Sequence, residues 1–114
     1  MKLRTLVCAA AAVLITACSQ EPDVVTDADN EFRWGDLGEK TVVVNYFAEW
    51  CAPCLRELPE LNEFNQHKAK DVELVGVSFD PMSNAELAEL KQRHGIEFQL
   101  ALMEPAPKFP FQRP

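Results

Sequence analysis

Two short apolar segments, with a helical pattern between them, limit this chain to a small set of folds. Residues 41–47 and 72–78 are rich in β-branched and aromatic side chains and lack the alternation of a half-exposed strand, so both are predicted to be strands covered on two faces. Between them lies an apolar stripe typical of a helix that runs to about Lys70: Leu55, Leu58, Leu61 and Phe64. This order predicts a βαβ unit with parallel strands and a right-handed crossover.

A second helix and a third strand are predicted after this unit. Ser83 and Glu86 have the spacing of a capping box at a helix start, and Gly95 suits a left-handed helix stop. The residues of this helix expected to face inward are Leu87 and Leu90. Residues 99–102 are predicted to form a shorter strand. Four prolines then follow, a density incompatible with a helix or a central strand: Pro105, Pro107, Pro110 and Pro114.

The amino terminus has the pattern of a signal peptide. Lys2 and Arg4 precede an apolar run over residues 6–15, which is far shorter than the ~20 residues that span a bilayer. The run ends in Ile-Thr-Ala-Cys, which resembles a bacterial lipobox, so Cys18 is the predicted lipidation site. The alternative is an ordinary signal peptide with a coincidental cysteine. Ser19, rather than Asp, favours the outer membrane as the destination of the lipoprotein.

The pattern divides the chain into three parts. Residues 1–17 are predicted to be the signal peptide, residues 18–31 the lipidated cysteine with a flexible acidic tether, and residues 32–114 a single small domain. The net charge is −7, and processing would remove two basic residues of 11 and none of the 18 acids, leaving −9. An acidic chain without clustered Lys and Arg is not expected to bind nucleic acid.

After this processing one pair of cysteines remains in the chain. Cys8 would leave with the leader and Cys18 would carry lipid, so Cys51 and Cys54 remain as a single dithiol. Export places that dithiol in the cell envelope, where disulfides can form and persist.

The dithiol has the setting that thiol–disulfide exchange requires. Cys51 and Cys54 directly follow a predicted strand and begin a predicted helix, where free N–H groups and the helix dipole favour negative charge. The first cysteine of such a motif typically has its pKa lowered to ~3.5–7.5, so Cys51 is predicted to be the attacking thiolate and Cys54 the resolving thiol. Pro53 lacks an N–H, is tolerated in a first helical turn and stiffens it.

Three other interpretations of the pair remain open. A zinc site would need two more ligands, and there is no second cysteine pair. A purely structural disulfide would close too short a loop to restrict the unfolded chain much. A copper-carrying dithiol would need a further ligand, for which the candidates are Met82, Met103 and His94. Redox exchange is favoured over all three, with no metal and no organic cofactor expected.

Residues 42–54, Val-Val-Val-Asn-Tyr-Phe-Ala-Glu-Trp-Cys-Ala-Pro-Cys, closely resemble the active-site segment of thioredoxin-like proteins. Pro59 matches their helix-kinking proline, and Asn45 and Glu57 favour the membrane-tethered TlpA/ResA-like branch. The resemblance implies an α/β fold of thioredoxin type with a mixed sheet. It further implies that Glu57 tunes proton transfer at Cys54. Trp50 is expected either to offer a flat apolar surface to substrates beside Cys51 or simply to pack against its neighbours.

The resemblance also implies an activity, which is that of an envelope thiol–disulfide oxidoreductase acting as a reductase. Its partners would be protein disulfide substrates, a dithiol protein that donates electrons, and the membrane through lipid on Cys18. The alternatives are an inactive lipoprotein fragment and a metal-carrying dithiol module. Thioredoxin-like domains continue into a cis-proline loop, a β-hairpin and a last helix, none of which can be assigned here; Pro114 is a weak candidate for the cis-proline. The chain alone is therefore expected to be marginally stable.

Overall fold

The computed structural model describes residues 20–114, so the predicted signal peptide over residues 1–17 and the predicted lipidation site Cys18 lie outside the described residues. The structure contains five strands, two α-helices and one short 3₁₀ helix in this part of the chain. In order these are β1 (Val24–Val25), β2 (Glu31–Phe32), the 3₁₀ helix (Trp34–Asp36), β3 (Thr41–Phe47), α1 (Ala52–His67), β4 (Val72–Ser78), α2 (Asn84–Arg93) and β5 (Gln99–Leu100). Over residues 20–114 no helix has the length and apolar character needed to span a bilayer.

The main sheet confirms the predicted βαβ unit. Its strand order is β3-β4-β5, and both pairings are parallel. Thr41 lies opposite Val72 and Phe47 opposite Ser78, so β3 and β4 are paired along their full length and end together. β5 is shorter than predicted, with two residues, because the chain then bridges to the amino-terminal hairpin at Ala101.

Both helices pack against one core beneath the main sheet. The buried residues of this core are Phe47, Leu58, Leu74, Leu87, Leu90, Ile96, Phe98 and Leu100. α1 contributes Leu58 and continues through Pro59 to His67, three residues short of the predicted end. Phe64 was predicted to continue the apolar stripe, but it lies 42% exposed at the far end of α1.

The start and end of α2 follow the sequence prediction. Ser83 is the N-cap, its hydroxyl accepts a hydrogen bond from the Glu86 amide at 3.2 Å, and the Glu86 carboxylate accepts one from the Ser83 amide at 2.8 Å. Leu87 and Leu90 are each 2% exposed. Gly95 has φ of +62°, which an L side chain rarely adopts, so the helix ends there.

The amino-terminal segment corrects the prediction of a flexible tether over residues 18–31. Its described part forms the antiparallel hairpin of β1 and β2, and Val24 and Thr26 are 1% and 0% exposed. The Thr26 hydroxyl donates to the side-chain oxygen of Gln99 at 2.9 Å, which ties the hairpin to β5. Little in the sequence indicated this hairpin, because each of its strands has only two residues. The burial of those residues also depends on partners about 70 positions away along the chain.

The last part of the chain is irregular, as its prolines predicted. Lys108 donates its backbone N–H to the Asp23 carbonyl at 2.8 Å, and Phe109 packs against Trp34 and Tyr46. Within residues 20–114 the cis peptide bond is Glu104–Pro105. Pro114, the candidate cis-proline, therefore has a trans peptide bond.

Candidate active site

The predicted dithiol is present as a disulfide at the junction of β3 and α1. Cys51 and Cys54 are bonded to each other, and their Cα atoms are 5.3 Å apart. Cys51 is the N-cap of α1, four residues beyond the buried Phe47 that ends β3. Cys54 lies in the first turn and packs against the helix-side core. The strand and helix therefore hold both sulfurs in one short turn.

A backbone donor of the helix start contacts the Cys51 sulfur. The Cys54 amide N–H donates to the Cys51 Sγ at 3.4 Å, so the sulfur itself caps the helix. The first turn contains no acidic residue, and Pro53 has no N–H to satisfy there. N–H groups and the dipole at a helix start favour negative charge, and the Cys51 sulfur lies at such a position.

A small apolar groove lies beside the disulfide. It has a volume of about 80 Å³ and is lined, apart from the two cysteines, by Tyr46, Phe47, Ala48, Trp50 and Phe79. Trp50 is 69% exposed, although its indole N–H donates to the Asp80 carboxylate at 2.9 Å and its ring meets the Phe79 ring edge-on at 5.8 Å. An exposed aromatic side chain that is held at two points offers a fixed apolar surface next to Cys51.

Phe79 and Asp80 were not singled out by the sequence prediction. They follow β4 directly, and the Phe79 amide donates to the Phe47 carbonyl at 2.8 Å. The available signal was topological, since the carboxyl ends of neighbouring parallel strands meet at one edge of a sheet and ligands bind there in open α/β sheets.

Glu57 lies on α1, one turn beyond Cys54. It is exposed and does not line the groove, and over residues 20–114 no salt bridge or side-chain hydrogen bond engages it. The spacing places it on the same helix face as Cys54.

Glu49 joins α2 to the turn before Cys51. Its carboxylate is paired with Arg93, and its second oxygen lies 3.7 Å from His94 Nε2. The hydrogen bond from Arg93 lowers the pKa of Glu49 below its ordinary 4.5, desolvation opposes this, and the charges on Arg93 and His94 add to the lowering. The pair fastens the turn to the end of α2.

The candidate metal ligands are not gathered at the dithiol. Met82 and Met103 pack against the helix-side core and line a different cavity, and His94 faces Glu49. Within residues 20–114 there is no group of three or more His, Cys, Asp or Glu side chains arranged to hold a metal ion.

Comparison with known proteins identifies the family. Residues 17–104 match the AhpC/TSA family. The chain belongs to this family. Among curated proteins it is similar to the thiol-disulfide oxidoreductase ResA of Bacillus thuringiensis (strain Al Hakam), with 32% identity over 81 residues, 69% of this chain and 46% of that protein. It is also similar to ResA of Geobacillus kaustophilus (strain HTA426), with 34% identity over 88 residues, 74% of this chain and 49% of that protein. The chain thus spans about half the length of these curated relatives.

Solved structures agree on the thioredoxin-like fold of this family member. One is a Chlorobium tepidum protein described as a thiol:disulfide interchange protein DsbE, with a TM-score of 0.53, 21% identity, and coverage of 71% of this chain and 60% of that one. Another is MTB DsbF, with a TM-score of 0.52, 21% identity, and coverage of 72% and 64%. The predicted α/β fold class is therefore confirmed.

Proposed function

We propose that this protein is a thiol–disulfide oxidoreductase that reduces disulfides of envelope proteins. The observation that carries the proposal is the Cys51–Cys54 disulfide at the start of α1, with an apolar groove beside it. The similarity to the ResA proteins supports the same chemistry.

The reaction begins with both cysteines reduced. The Cys51 thiolate attacks one sulfur of the substrate disulfide, that bond breaks, and a mixed disulfide joins Cys51 to the substrate. The Cys54 thiolate then attacks the Cys51 sulfur and releases the second substrate thiol. Two electrons pass to the substrate, its two sulfurs take up the proton released from Cys54 and one proton from solvent, and the enzyme is left with the disulfide of the present structure. A dithiol protein is the proposed electron donor that reduces it again.

Three neighbours have proposed roles in this cycle. Glu57 accepts the proton of Cys54 as its thiolate forms, since it lies one helical turn away. Trp50 provides the apolar surface for the substrate segment, and Pro53 keeps the first turn rigid. Glu57→Gln should therefore slow the resolving step more than the initial attack, measured as accumulation of the mixed disulfide.

The direct test is reduction of insulin by the full chain with dithiothreitol as the electron donor. Cys51→Ser should reduce the rate to that of dithiothreitol alone, whereas Cys8→Ser, which changes a cysteine outside the dithiol, should retain the wild-type rate. Equal rates for the wild type and Cys51→Ser would remove the enzymatic proposal and favour an inactive protein. Copper or zinc bound stoichiometrically through Cys51, without disulfide reduction, would instead favour a metal-carrying module.

We also propose that lipid on Cys18 anchors the protein in the envelope, facing the periplasm, with the outer membrane as the destination. The lipobox-like sequence before Cys18 supports this. Labelled palmitate should be incorporated by the wild type and not by Cys18→Ser, and fractionation should place the wild type with the outer membrane. Wild-type protein without label would contradict the anchor.

A further inference from the structure

The exposed Trp50 beside the disulfide depends on Phe79 for one of its two side-chain contacts. The Phe79 ring meets the indole edge-on at 5.8 Å, and the other contact is the hydrogen bond to Asp80. The Asp80 carbonyl in turn accepts a hydrogen bond from the Ser78 hydroxyl at 2.8 Å. The position of the indole is therefore determined by the turn that follows β4.

Arg113 holds this turn from the far end of the chain. Its guanidinium donates to the Phe79 carbonyl at 3.1 Å and its carbon lies 5.6 Å from the centre of the Phe79 ring, so one side chain contacts both the backbone and the ring of Phe79. The guanidinium also lies near Tyr46, where its charge opposes the rise in the tyrosine pKa caused by burial. Arg113 thus links the ends of β3 and β4 at the groove.

The path of the carboxy-terminal segment brings Arg113 to this place. The Lys108 backbone N–H donates to the Asp23 carbonyl at 2.8 Å, and the Lys108 carbonyl accepts the Trp34 indole N–H at 2.6 Å. Phe109 packs against the rings of Trp34 and Tyr46. These contacts hold the segment on the sheet face opposite the helices, without help from Arg113.

We propose that Arg113 is a positioning residue of the dithiol groove, which acts through Phe79 to hold the Trp50 indole as a wall beside Cys51. This rests on the function proposed above, because an ordered wall matters for binding the substrate segment that carries a disulfide. Arg113 does not touch the sulfurs in this arrangement, so its contribution falls on substrate binding and not on the chemical steps.

The first experiment uses ¹⁹F NMR of the oxidised full chain labelled with 5-fluorotryptophan. The two tryptophans give two resonances, and Trp50→Phe assigns them. Arg113→Ala should shift or broaden the Trp50 resonance and leave that of Trp34 in place, because Lys108 and Phe109 still hold the segment. The matched control is Lys108→Ala, since the hydrogen bonds of Lys108 are made by its backbone.

The second experiment measures coupling and kinetics. Arg113→Ala should raise the KM for insulin by about twofold to fivefold, the size of an exposed cation–π contact, with kcat unchanged. In a Phe79→Leu background the same substitution should have a smaller effect, because the ring it acts on is gone. Arg113→Lys, which keeps the charge, should restore part of the loss.

Three results would overturn the proposal: an unchanged Trp50 resonance in Arg113→Ala, equal shifts of both tryptophans, or effects of Arg113→Ala and Phe79→Leu that simply add. The NMR measurement needs no substrate, so it gives its result even if the chain does not catalyse disulfide exchange. Failure of this proposal and failure of the proposed function are thereby distinguished.

Discussion

The Cys54 amide N–H donates to the Cys51 Sγ at 3.4 Å, so the sulfur expected to attack substrates is itself the N-cap of α1. We predict that Cys51 in the reduced Cys54→Ser variant reaches half its maximal rate of alkylation at a pH below the ~8.5 of free cysteine. Mass spectrometry of the Cys51 peptide across a pH series measures this. Cys54 in the Cys51→Ser variant is the control and should react more slowly at neutral pH. A Cys51 midpoint like that of free cysteine would contradict the role of the helix start.

Any side chain at Gly76 in β4 is predicted to destabilise the fold by steric overlap. A Cβ there would lie 2.6 Å from Leu100 and 2.7 Å from Phe98, both fully buried and unable to move away. Gly76→Ala should cost about 1–3 kcal/mol of unfolding free energy, measured by urea denaturation. Gly35→Ala is the matched control, because nothing lies within 4 Å of its Cβ position. Equal stabilities for the two variants would contradict this packing.

The amino-terminal hairpin is predicted to be part of the folded domain. Thr26 is fully buried, and its hydroxyl donates to Gln99. Thr26→Val keeps the shape but leaves the Gln99 oxygen one partner short, so it should cost about 1–3 kcal/mol in the same denaturation experiment. Thr41→Val, at an exposed position of β3, should change stability little. A neutral Thr26→Val would instead support a hairpin that is only loosely attached.

The capping box of α2 gives a third stability prediction. Ser83→Ala removes the hydroxyl that accepts the Glu86 amide N–H, and it should cost about 0.5–2 kcal/mol. Ser83→Thr retains a hydroxyl and should keep most of that stability. Thermal unfolding followed by circular dichroism distinguishes them, and indistinguishable midpoints would show that the cap contributes nothing measurable.

The Glu49–Arg93 pair predicts how stability changes in acid. The folded-state pKa of Glu49 lies below 4.5, so its contribution to stability is present above that pH and is lost as the pH falls through the lowered pKa. Glu49→Gln should therefore show a smaller loss of melting temperature than the wild type between about pH 5 and pH 3. Glu60→Gln changes an exposed α1 carboxylate that forms no ion pair within residues 20–114, and this variant should behave like the wild type. Parallel curves for Glu49→Gln and the wild type would contradict the pair.

Elements that depend on neighbouring residues were predictable from sequence. The bounds of β3 and β4, the capping box at Ser83 and the dithiol at the helix start were all confirmed, because strand propensity, capping and the helix terminus act over a few residues. The end of α1 was predicted three residues too late, since its apolar stripe continues through the exposed Phe64 and does not mark where packing stops.

Local sequence patterns were enough to predict which elements form and that two sulfurs meet at a strand–helix junction. Only the folded chain shows that residues 23–32 pack as a hairpin beside β5, that Phe79 and Asp80 contact Trp50, and that Arg113 contacts Phe79. Those contacts join residues about 30 to 70 positions apart along the chain. Their formation depends on burial and on the ends of parallel strands meeting at one edge, which no local pattern encodes.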